Sequence, residues 1–300
     1  MTEHYRSNGK LLLTGEYLVL DGAKSLCIPT KKGQSFSVEA TANNQIDWIS
    51  KDVDDQIWFK ASFDLSLNLL SSTDQPIAKK LVHILINAFD LSESTPSASS
   101  IVTALEFKRD WGLGSSSTLL NNIAQWLKID PFDLHFKVSN GSGYDIANAS
   151  NSTPLLYKIG RPPQIEVTNY NPSFSDQLFF VHLNNKQVSE KAVMNYSLLK
   201  SAIDIDKCCD EATNLTHAFL SSGSKNELDE VIEKHEFLLS NILQQESIHE
   251  VLFSNYKDGT IKSLGAWGGD FVLVTGNSSS PQYFKDKGFE TVIPFNEMIL

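Results

Sequence analysis

Cysteine is scarce in this 300-residue chain, and its placement excludes the sites that cysteine usually builds. The three cysteines are Cys27, Cys208 and Cys209. Three cysteines cannot all pair, and an adjacent couple has neither the spacing of a zinc site nor the even number of a disulfide framework. The seven histidines show no metal-ligand spacing either. We therefore expect a protein of a reducing compartment without a disulfide scaffold or a structural zinc ion.

Positive charge is also in short supply. Lys and Arg number 25 against 36 Asp and Glu, which gives a formal net charge of -11. Nucleic-acid affinity depends largely on the neutralisation of phosphates by Lys and Arg, so a general nucleic-acid partner is not expected. If the ligand is an anion, its positive partners must be concentrated locally.

Long hydrophobic runs are missing as well. No stretch reaches the roughly 18 apolar residues that a membrane-spanning helix needs, and the segment MTEHYRSNGK at residues 1–10 lacks the apolar core of a signal peptide. The hydrophobic fraction of 41% is that of an ordinary globular protein. We expect a cytoplasmic protein with no membrane partner, and the sequence leaves its oligomeric state open.

The hydrophobic pattern predicts an α+β protein, and the segment NYNPSFS at residues 169–175 is typical of a connection between domains. Lys10 to Leu20 is typical of two short strands joined at Gly15, and alternating apolar residues over 36–59 predict further antiparallel strands. Helical spacing follows over 77–89, after the glycine loop, and over 189–200, 205–221, 226–243 and 247–255. Strands are expected again at 178–183, 261–264, 271–275 and 291–293, with a helix near 281–287.

The most informative stretch is WGLGSSST at residues 111–118, which follows an apolar run and leads into a helical pattern. Glycines free the backbone to turn, and the first N–H groups of a helix present unpaired donors and a positive dipole end to an anion. The alternative is a Gly/Ser loop with a serine helix cap and no ligand. The stretch is neither GxxxxGK[ST] nor a full GxGxxG, so those two nucleotide-binding motifs are not supported.

Three further pieces accompany this loop along the chain, of which SGYDIA belongs with the loop itself. GKLLLTGEYLVLDG precedes it, SGYDIA follows it shortly, and KSLGAWGGDFVLV stands near the end. Together they resemble the motifs of the GHMP kinases, the superfamily of galactokinase, homoserine kinase, mevalonate kinase and phosphomevalonate kinase. The GEY and GGD pieces look most similar to the phosphomevalonate and mevalonate kinases. The resemblance implies a ribosomal protein S5 domain 2-like N-terminal domain over 1–170 and a ferredoxin-like C-terminal domain over 171–300, with the substrates in a cleft between them.

The resemblance also implies a role for individual residues. Asp145 matches the catalytic aspartate, Lys10 the lysine beside it, and Ser116 the serine that binds magnesium. The nucleotide phosphates are expected at Gly112, Leu113, Gly114, Ser115, Ser116 and Ser117. Residues expected on the substrate side or in support of the site are Glu16, Ser142, Gly265, Ala266, Gly268 and Gly269. ATP and Mg²⁺ are therefore the expected cofactors.

Some of these positions have an alternative explanation from the residues alone. Asp145 could instead cap the helix that is expected from about Ile146. Lys10 could be a solvated lysine at a strand end, and Glu16 could pair with a neighbouring lysine at a strand edge. Lys31, Lys32 and Arg161 suit a substrate clamp or an ordinary charged surface. His217 and His235 are interpreted as ordinary helix residues.

The sequence departs from the family pattern in two places that bear on catalysis. Trp267 replaces a glycine of the third motif, and no glutamate between Ser116 and Asp145 matches the second magnesium ligand, with Asp133 the nearest acid. The expected activity is transfer of the ATP γ-phosphoryl group to mevalonate or phosphomevalonate in isoprenoid supply. The alternatives are a catalytically impaired sensor that binds a nucleotide or metabolite, and a kinase for another small alcohol such as a sugar or homoserine.

Overall fold

The computed structural model describes residues 1–185, 189–265, 267 and 269–300. The strands are β1 (Thr2–Leu12), β2 (Ser25–Ala40), β3 (Ile46–Lys51), β4 (Ile57–Phe63), β5 (Leu69–Ser72), β6 (Ser99–Leu105), β7 (Leu155–Lys158), β8 (Gln164–Val167), β9 (Leu178–His182), β10 (Ile261–Ser263), β11 (Phe271–Thr275) and β12 (Val292–Pro294). The helices are α1 (Gln75–Ser92), α2 (Ser115–Leu127), α3 (Pro131–Val138), α4 (Tyr144–Ser150), α5 (Ser189–Leu199), α6 (Ile205–Ser221), α7 (Lys225–Leu243), α8 (Ile248–Phe253), α9 (Ser280–Asp286) and α10 (Phe295–Met298). Among these described helices, none is long and apolar enough to cross a bilayer.

The chain forms two compact units, and each is assembled from separate stretches. The first unit contains residues 1–9, 32–109 and 113–150, and the second contains residues 10–31, 110–112 and 151–300. The long strand β2 begins in the second unit and ends in the first. The predicted division at residue 170 remains a prediction.

The first unit carries a sheet in the order β5-β4-β3-β6-β2, with β1 also paired to β2. Strands β3 and β6 run parallel, while β2 pairs antiparallel with β6. Helix α1 begins as the sequence predicts, because Asp74 caps the Ile77 N–H and Pro76 suits the first turn. Apolar residues of the strands and of α1 to α4 form one core, which includes Phe36, Trp48, Leu85 and Ile123. The helical spacing of α1 is thereby explained by packing.

The second unit carries an antiparallel sheet in the order β10-β11-β9-β12. In the same unit the start of β2 pairs with β7, and β7 with β8. Helices α6, α7 and α8 begin at the side-chain caps Asp204, Ser224 and Ser247, the last of which forms a capping box with Glu250. The predicted α+β class is confirmed.

The structure differs from the sequence interpretation in several short regions. The segment predicted as a second strand after Gly15 is a 3₁₀ turn over Leu18–Leu20, because Gly15 and Tyr17 both have positive φ and end the extended chain. Helix α3 was not predicted, although Asp130 and Pro131 supply its cap and first residue. Helix α4 begins at Tyr144, so Asp145 lies in its first turn.

Candidate functional site

Helix α2 begins without a side-chain cap, unlike its neighbours in the chain. Its N-cap residue is Gly114 with φ 89°, and in the part of the chain that the structure describes no side-chain cap hydrogen bond is made there. Gly112 also has positive φ, at 63°. Helices α1 and α3, in contrast, each begin with an aspartate that accepts a first-turn N–H. The first N–H groups of α2 are therefore left to an acceptor from outside the helix.

The serines of this helix start point in different directions. Ser115 and Ser116 are exposed, whereas Ser117 and Thr118 are buried. The Ser117 hydroxyl donates to the Gly114 carbonyl at 2.8 Å, and the Thr118 hydroxyl donates to Gln34 Oε1 at 2.8 Å. Ser115 and Ser116 are thus accessible at the start of the helix, and the Ser117 hydroxyl closes the turn.

A buried polar network holds α2 on strands β1 and β2 of the first unit. Ser7 Oγ donates to Asn122 Oδ1 at 2.7 Å and accepts from Asn121 Nδ2 at 2.8 Å. Asn122 Nδ2 in turn donates to the Gln34 carbonyl at 3.1 Å. Because buried amides are costly to leave unpaired, this network fixes the rotation of the helix more narrowly than apolar packing does.

Asp145 belongs to the same unit as the start of α2. Its helix α4 packs against α2 and α3. The carboxylate is half-buried, and Oδ1 accepts a hydrogen bond from the Ile146 N–H at 3.1 Å. Ser142 is buried just before the helix. One carboxylate oxygen of Asp145 therefore binds a backbone N–H in the first turn of α4. This contact agrees with the alternative in which Asp145 caps the helix.

The beginning of the glycine loop, residues 110–112, packs within the second unit. The Trp111 ring meets Phe271 edge to face with centroids 5.4 Å apart, and His182 Nε2 donates to the Asp110 carbonyl at 3.2 Å. Asp270 lies against Gly112 so closely that a Cβ on that glycine would overlap its carboxylate. The aspartate of the third motif therefore contacts the first glycine of the loop, which only a residue without a side chain permits.

The remaining expected positions of the second unit lie in its first and third motifs. Lys10 is half-buried near the end of β1. Gly265 has φ 63° and space around its Cα, and Gly269 is buried. Trp267 is buried with φ 38°, an unusual backbone for a bulky residue. Two expected positions, Ala266 and Gly268, lie outside the described residues.

Glu16 lies in a buried ion cluster of the second unit. Lys262 Nζ is 2.6 Å from Glu16 Oε1, and neither side chain is more than 1% exposed. Lys262 also donates to the Ser263 carbonyl at 3.1 Å and lies 3.7 Å from Glu236 Oε1. Burial raises the pKa of Glu16, and the charge and hydrogen bond of Lys262 oppose that rise. Glu16 does pair with a lysine, but in the interior and not at a strand edge.

Two residues of α7 complete this cluster. His235 Nε2 accepts the Gly15 N–H at 3.0 Å. Burial and the neighbouring Lys262 charge hold the pKa of His235 well below its usual value, so the ring is neutral and Nε2 keeps its lone pair for that bond. Glu236 accepts both the N–H and the hydroxyl of Ser263, at 3.1 and 2.9 Å. Burial raises the pKa of Glu236 to about 7.

Comparison with known proteins places this geometry in a recognised fold. No protein-family model and no curated protein sequence matches the chain. The solved mevalonate kinase of Methanococcus jannaschii matches with a TM-score of 0.71 at 15% identity over 97% of this chain and 96% of that one. The Streptococcus pneumoniae phosphomevalonate kinase, solved with phosphomevalonate and AMPPNP, matches with a TM-score of 0.71 at 17% identity over 95% of each chain. The Lactococcus lactis galactokinase, solved with galactose, matches with a TM-score of 0.70 at 10% identity over 97% and 92%.

The chain has the GHMP kinase fold. The match extends over nearly the whole length of both chains in each case, so the in-order resemblance of the three motifs is accompanied by a shared architecture. Shared architecture does not fix the acceptor.

Within this GHMP kinase fold, the expected site residues fall into two groups. The first unit holds Leu113, Gly114, Ser115, Ser116, Ser117, Ser142 and Asp145, and the second holds Lys10, Glu16, Gly112, Gly265 and Gly269. Sequence reasoning missed His235, Glu236 and Lys262. Lys262 lies within the third motif, so the motif could have indicated it as a candidate. His235 and Glu236 lie in an ordinary helical pattern that gives no such indication.

The fit of a magnesium ion can be judged from the side chains at the start of α2. Mg²⁺ keeps several waters and takes one or two protein oxygens together with substrate phosphates. Among the described residues no group of three His, Cys, Asp or Glu side chains could hold a metal. The exposed Ser116 hydroxyl suits an ion that arrives with the nucleotide, and not one held by a protein cage.

Proposed function

We propose that the chain is an ATP-dependent phosphotransferase that transfers the γ-phosphoryl group to a small alcohol or phosphate monoester. The observation that carries this proposal is the uncapped start of α2, which follows two glycines with positive φ. The GHMP kinase fold and a structural neighbour solved with AMPPNP support it. The negative overall charge does not oppose it, because backbone donors supply the attraction without Lys or Arg.

The first-turn N–H groups and the exposed hydroxyls of Ser115 and Ser116 suit a polyphosphate. Phosphoryl transfer needs such a cradle, because the reaction depends mainly on positioning and on stabilisation of negative charge. In this proposal Ser116 also contributes an oxygen to Mg²⁺. When bound with the nucleotide, that ion neutralises charge on the phosphate oxygens.

Asp145 and Lys10 are proposed to act on the acceptor and the transferred group. A half-buried carboxylate in the first turn of α4 can accept or orient the proton of the attacking oxygen. The Lys10 ammonium can stabilise the negative charge of the transferring group. For an acceptor that is itself a phosphate, a weak base is enough because positioning carries most of the rate.

The proposed acceptor is phosphomevalonate or mevalonate, and the proposed location is the cytoplasm. The GEY and GGD pieces of the sequence favour these acceptors over sugars, and two of the structural neighbours are a mevalonate kinase and a phosphomevalonate kinase. A sugar or homoserine is the alternative acceptor, since a galactokinase shares the fold.

A second candidate function is a sensor that binds a nucleotide or metabolite without turnover. It is favoured by Trp267, a buried indole with positive φ that replaces a glycine of the third motif of the resembled family. The absence of a glutamate between Ser116 and Asp145 also favours it.

The test is ADP release from ATP and Mg²⁺ with a panel of mevalonate, phosphomevalonate, galactose and homoserine. We expect release that depends on one acceptor and falls at least 100-fold in Asp145→Asn. Asp54→Asn is the matched control, because Asp54 is exposed in the turn between β3 and β4 of the same unit. Saturable ATP binding without acceptor-dependent release supports the sensor. Absence of ATP binding contradicts the kinase and the nucleotide sensor.

A further inference from the structure

The segment from Leu13 to Tyr17 is anchored within the second unit at several buried points. It directly follows β1, the strand that carries Lys10. The Leu13 N–H donates to the Leu26 carbonyl at 2.8 Å, and the Thr14 hydroxyl lies 2.7 Å from that of Thr216 on α6. Gly15 and Glu16 are bound by the cluster already described. The segment therefore has little freedom to change conformation.

Glu16 and Gly15 are held by two different kinds of bond. Lys262 binds the Glu16 carboxylate with an ionic hydrogen bond of 2.6 Å, and neutral His235 accepts the Gly15 N–H at 3.0 Å. The neighbouring Ser25 excludes any side chain at Gly15, since an added Cβ would overlap the Ser25 hydroxyl. Position 15 is thus fixed by a backbone bond on one side and by steric contact on the other.

The same cluster reaches the third glycine motif. Lys262 and Ser263 are the last residues of β10, and Gly265 follows two residues later. Glu236 holds Ser263 through its N–H and its hydroxyl, while Lys262 donates to the Ser263 carbonyl. One buried group of side chains therefore restrains both the turn after Lys10 and the start of the glycine motif.

An ion pair in this place is a costly way to obtain stability alone. Two buried charges lose their hydration, and an apolar pair of similar volume is often as stable or more so. The charged groups instead restrict the conformation of the chain, because each of their hydrogen bonds is satisfied in only one arrangement. The Lys262 ammonium has three N–H donors, and three oxygens surround it: Glu16 Oε1, the Ser263 carbonyl and, at 3.7 Å, Glu236 Oε1.

We propose that Lys262 and His235 are positioning residues of the phosphotransferase, acting through the Leu13–Tyr17 segment on Lys10 and through Ser263 on the glycine motif at Gly265. Glu16 is then the buried counter-ion of Lys262 and not an acid that touches substrate. The proposal rests on the proposed function, and its test separates the two.

The kinetic test compares Lys262→Met with the double variant Glu16→Gln/Lys262→Met. Each is assayed for kcat and for KM of ATP at a temperature where circular dichroism shows it folded. We expect kcat to fall at least tenfold in the single variant, and to remain at least fivefold low in the double variant although its midpoint of unfolding recovers. Lys225→Met is the matched control, because Lys225 pairs with Asp229 in the same unit at 2.7 Å. We expect it to keep kcat within twofold. Activity that returns in step with stability overturns the proposal.

A second readout does not depend on turnover. Amide hydrogen exchange of the folded Lys262→Met protein is expected to accelerate at least tenfold over residues 13–20 relative to Lys225→Met, with exchange in β3 of the first unit unchanged. Equal exchange in the two variants overturns the positioning role. If wild-type protein shows no turnover with any acceptor, the proposed function fails while this readout still decides the role of Lys262.

Discussion

Lys262 and Glu16 form an ion pair that lies wholly inside the second unit, with 2.6 Å between Nζ and Oε1. The two residues are 246 positions apart in the sequence. A buried charge that loses its partner is far more costly than an exposed one, because water cannot replace the lost interaction. The energetic consequences of this pair can be measured without knowledge of the substrate.

Lys262→Met is expected to lower the free energy of unfolding by about 3–5 kcal/mol, because it leaves the Glu16 carboxylate buried without its counter-ion. Glu16→Gln/Lys262→Met should regain most of that loss. The measurement is urea-induced unfolding at pH 8. The loss should be smaller at pH 5, where Glu16 can take up a proton. A double variant as unstable as the single one contradicts the pairing.

The free energy of unfolding of Glu236→Gln is expected to rise relative to that of wild type as pH rises. The folded-state pKa of Glu236 is raised to about 7 from 4.5, so its carboxyl binds a proton more tightly in the folded protein than in the unfolded chain. Stability from this group is present in full below pH 4.5 and is lost as pH rises through 7. The variant should therefore gain up to about 3 kcal/mol on wild type between pH 4 and pH 8.

The control for this pH series is Glu230→Gln, since Glu230 is exposed on the same helix. Unfolding midpoints measured every half pH unit give the comparison. Parallel curves for wild type and Glu236→Gln would show that the carboxyl is already ionised in the folded protein below neutral pH.

Gly15→Ala is expected to lower the free energy of unfolding by about 3 kcal/mol, from strain at φ 79° together with overlap with the Ser25 hydroxyl. Gly288→Ala isolates the strain, because Gly288 has φ 88° and open space around it, and should lose about 1 kcal/mol. Thermal and urea unfolding of the two variants give the difference. Equal losses would mean that the space beside Gly15 is not restricted.

Gly112→Ala is expected to raise KM for ATP at least tenfold, because the new methyl group displaces either the loop or the Asp270 carboxylate. Gly22→Ala is the control, since Gly22 has φ 103° and only a distant contact with Lys158. Partial recovery of KM in Gly112→Ala/Asp270→Ala would identify the clash as the cause. An unchanged KM in Gly112→Ala would separate this glycine from nucleotide binding.

Much of the fold follows from local sequence patterns. Helix α6 was predicted over 205–221 and forms over Ile205–Ser221, and strand β11 was predicted and found over Phe271–Thr275. Helix α6 has clear hydrophobic periodicity and a side-chain cap at Asp204, and β11 is a short continuous run of apolar residues. The turn after Gly15 escaped prediction, since its cause is the positive φ of Gly15 and Tyr17 and the distant partners of Glu16.

The candidate site was less accessible to sequence reasoning than the fold. The sequence predicts the start of α2 as an anion site, because its glycines free the backbone to turn and its serines add hydrogen-bond donors at a helix start. The partnership of Gly15 with His235 joins residues 220 positions apart, and no local pattern distinguishes a histidine that binds a backbone N–H from one that merely fills a core. The roles of Asp145 and Lys10 remain predictions, since they concern a reaction and not a contact.

The interleaved course of the chain limits how the gene can be shortened. Residues 10–31 belong to the second unit although they precede most of the first. A fragment that begins at Asn151 would retain Lys262 and His235 but lack Glu16 and Gly15, the groups that bind them. In such a fragment the buried Lys262 ammonium loses its 2.6 Å bond to Glu16 and keeps only the Ser263 carbonyl and the nearby Glu236 carboxylate. An isolated second unit therefore needs residues 10–31 grafted onto it as a permuted segment.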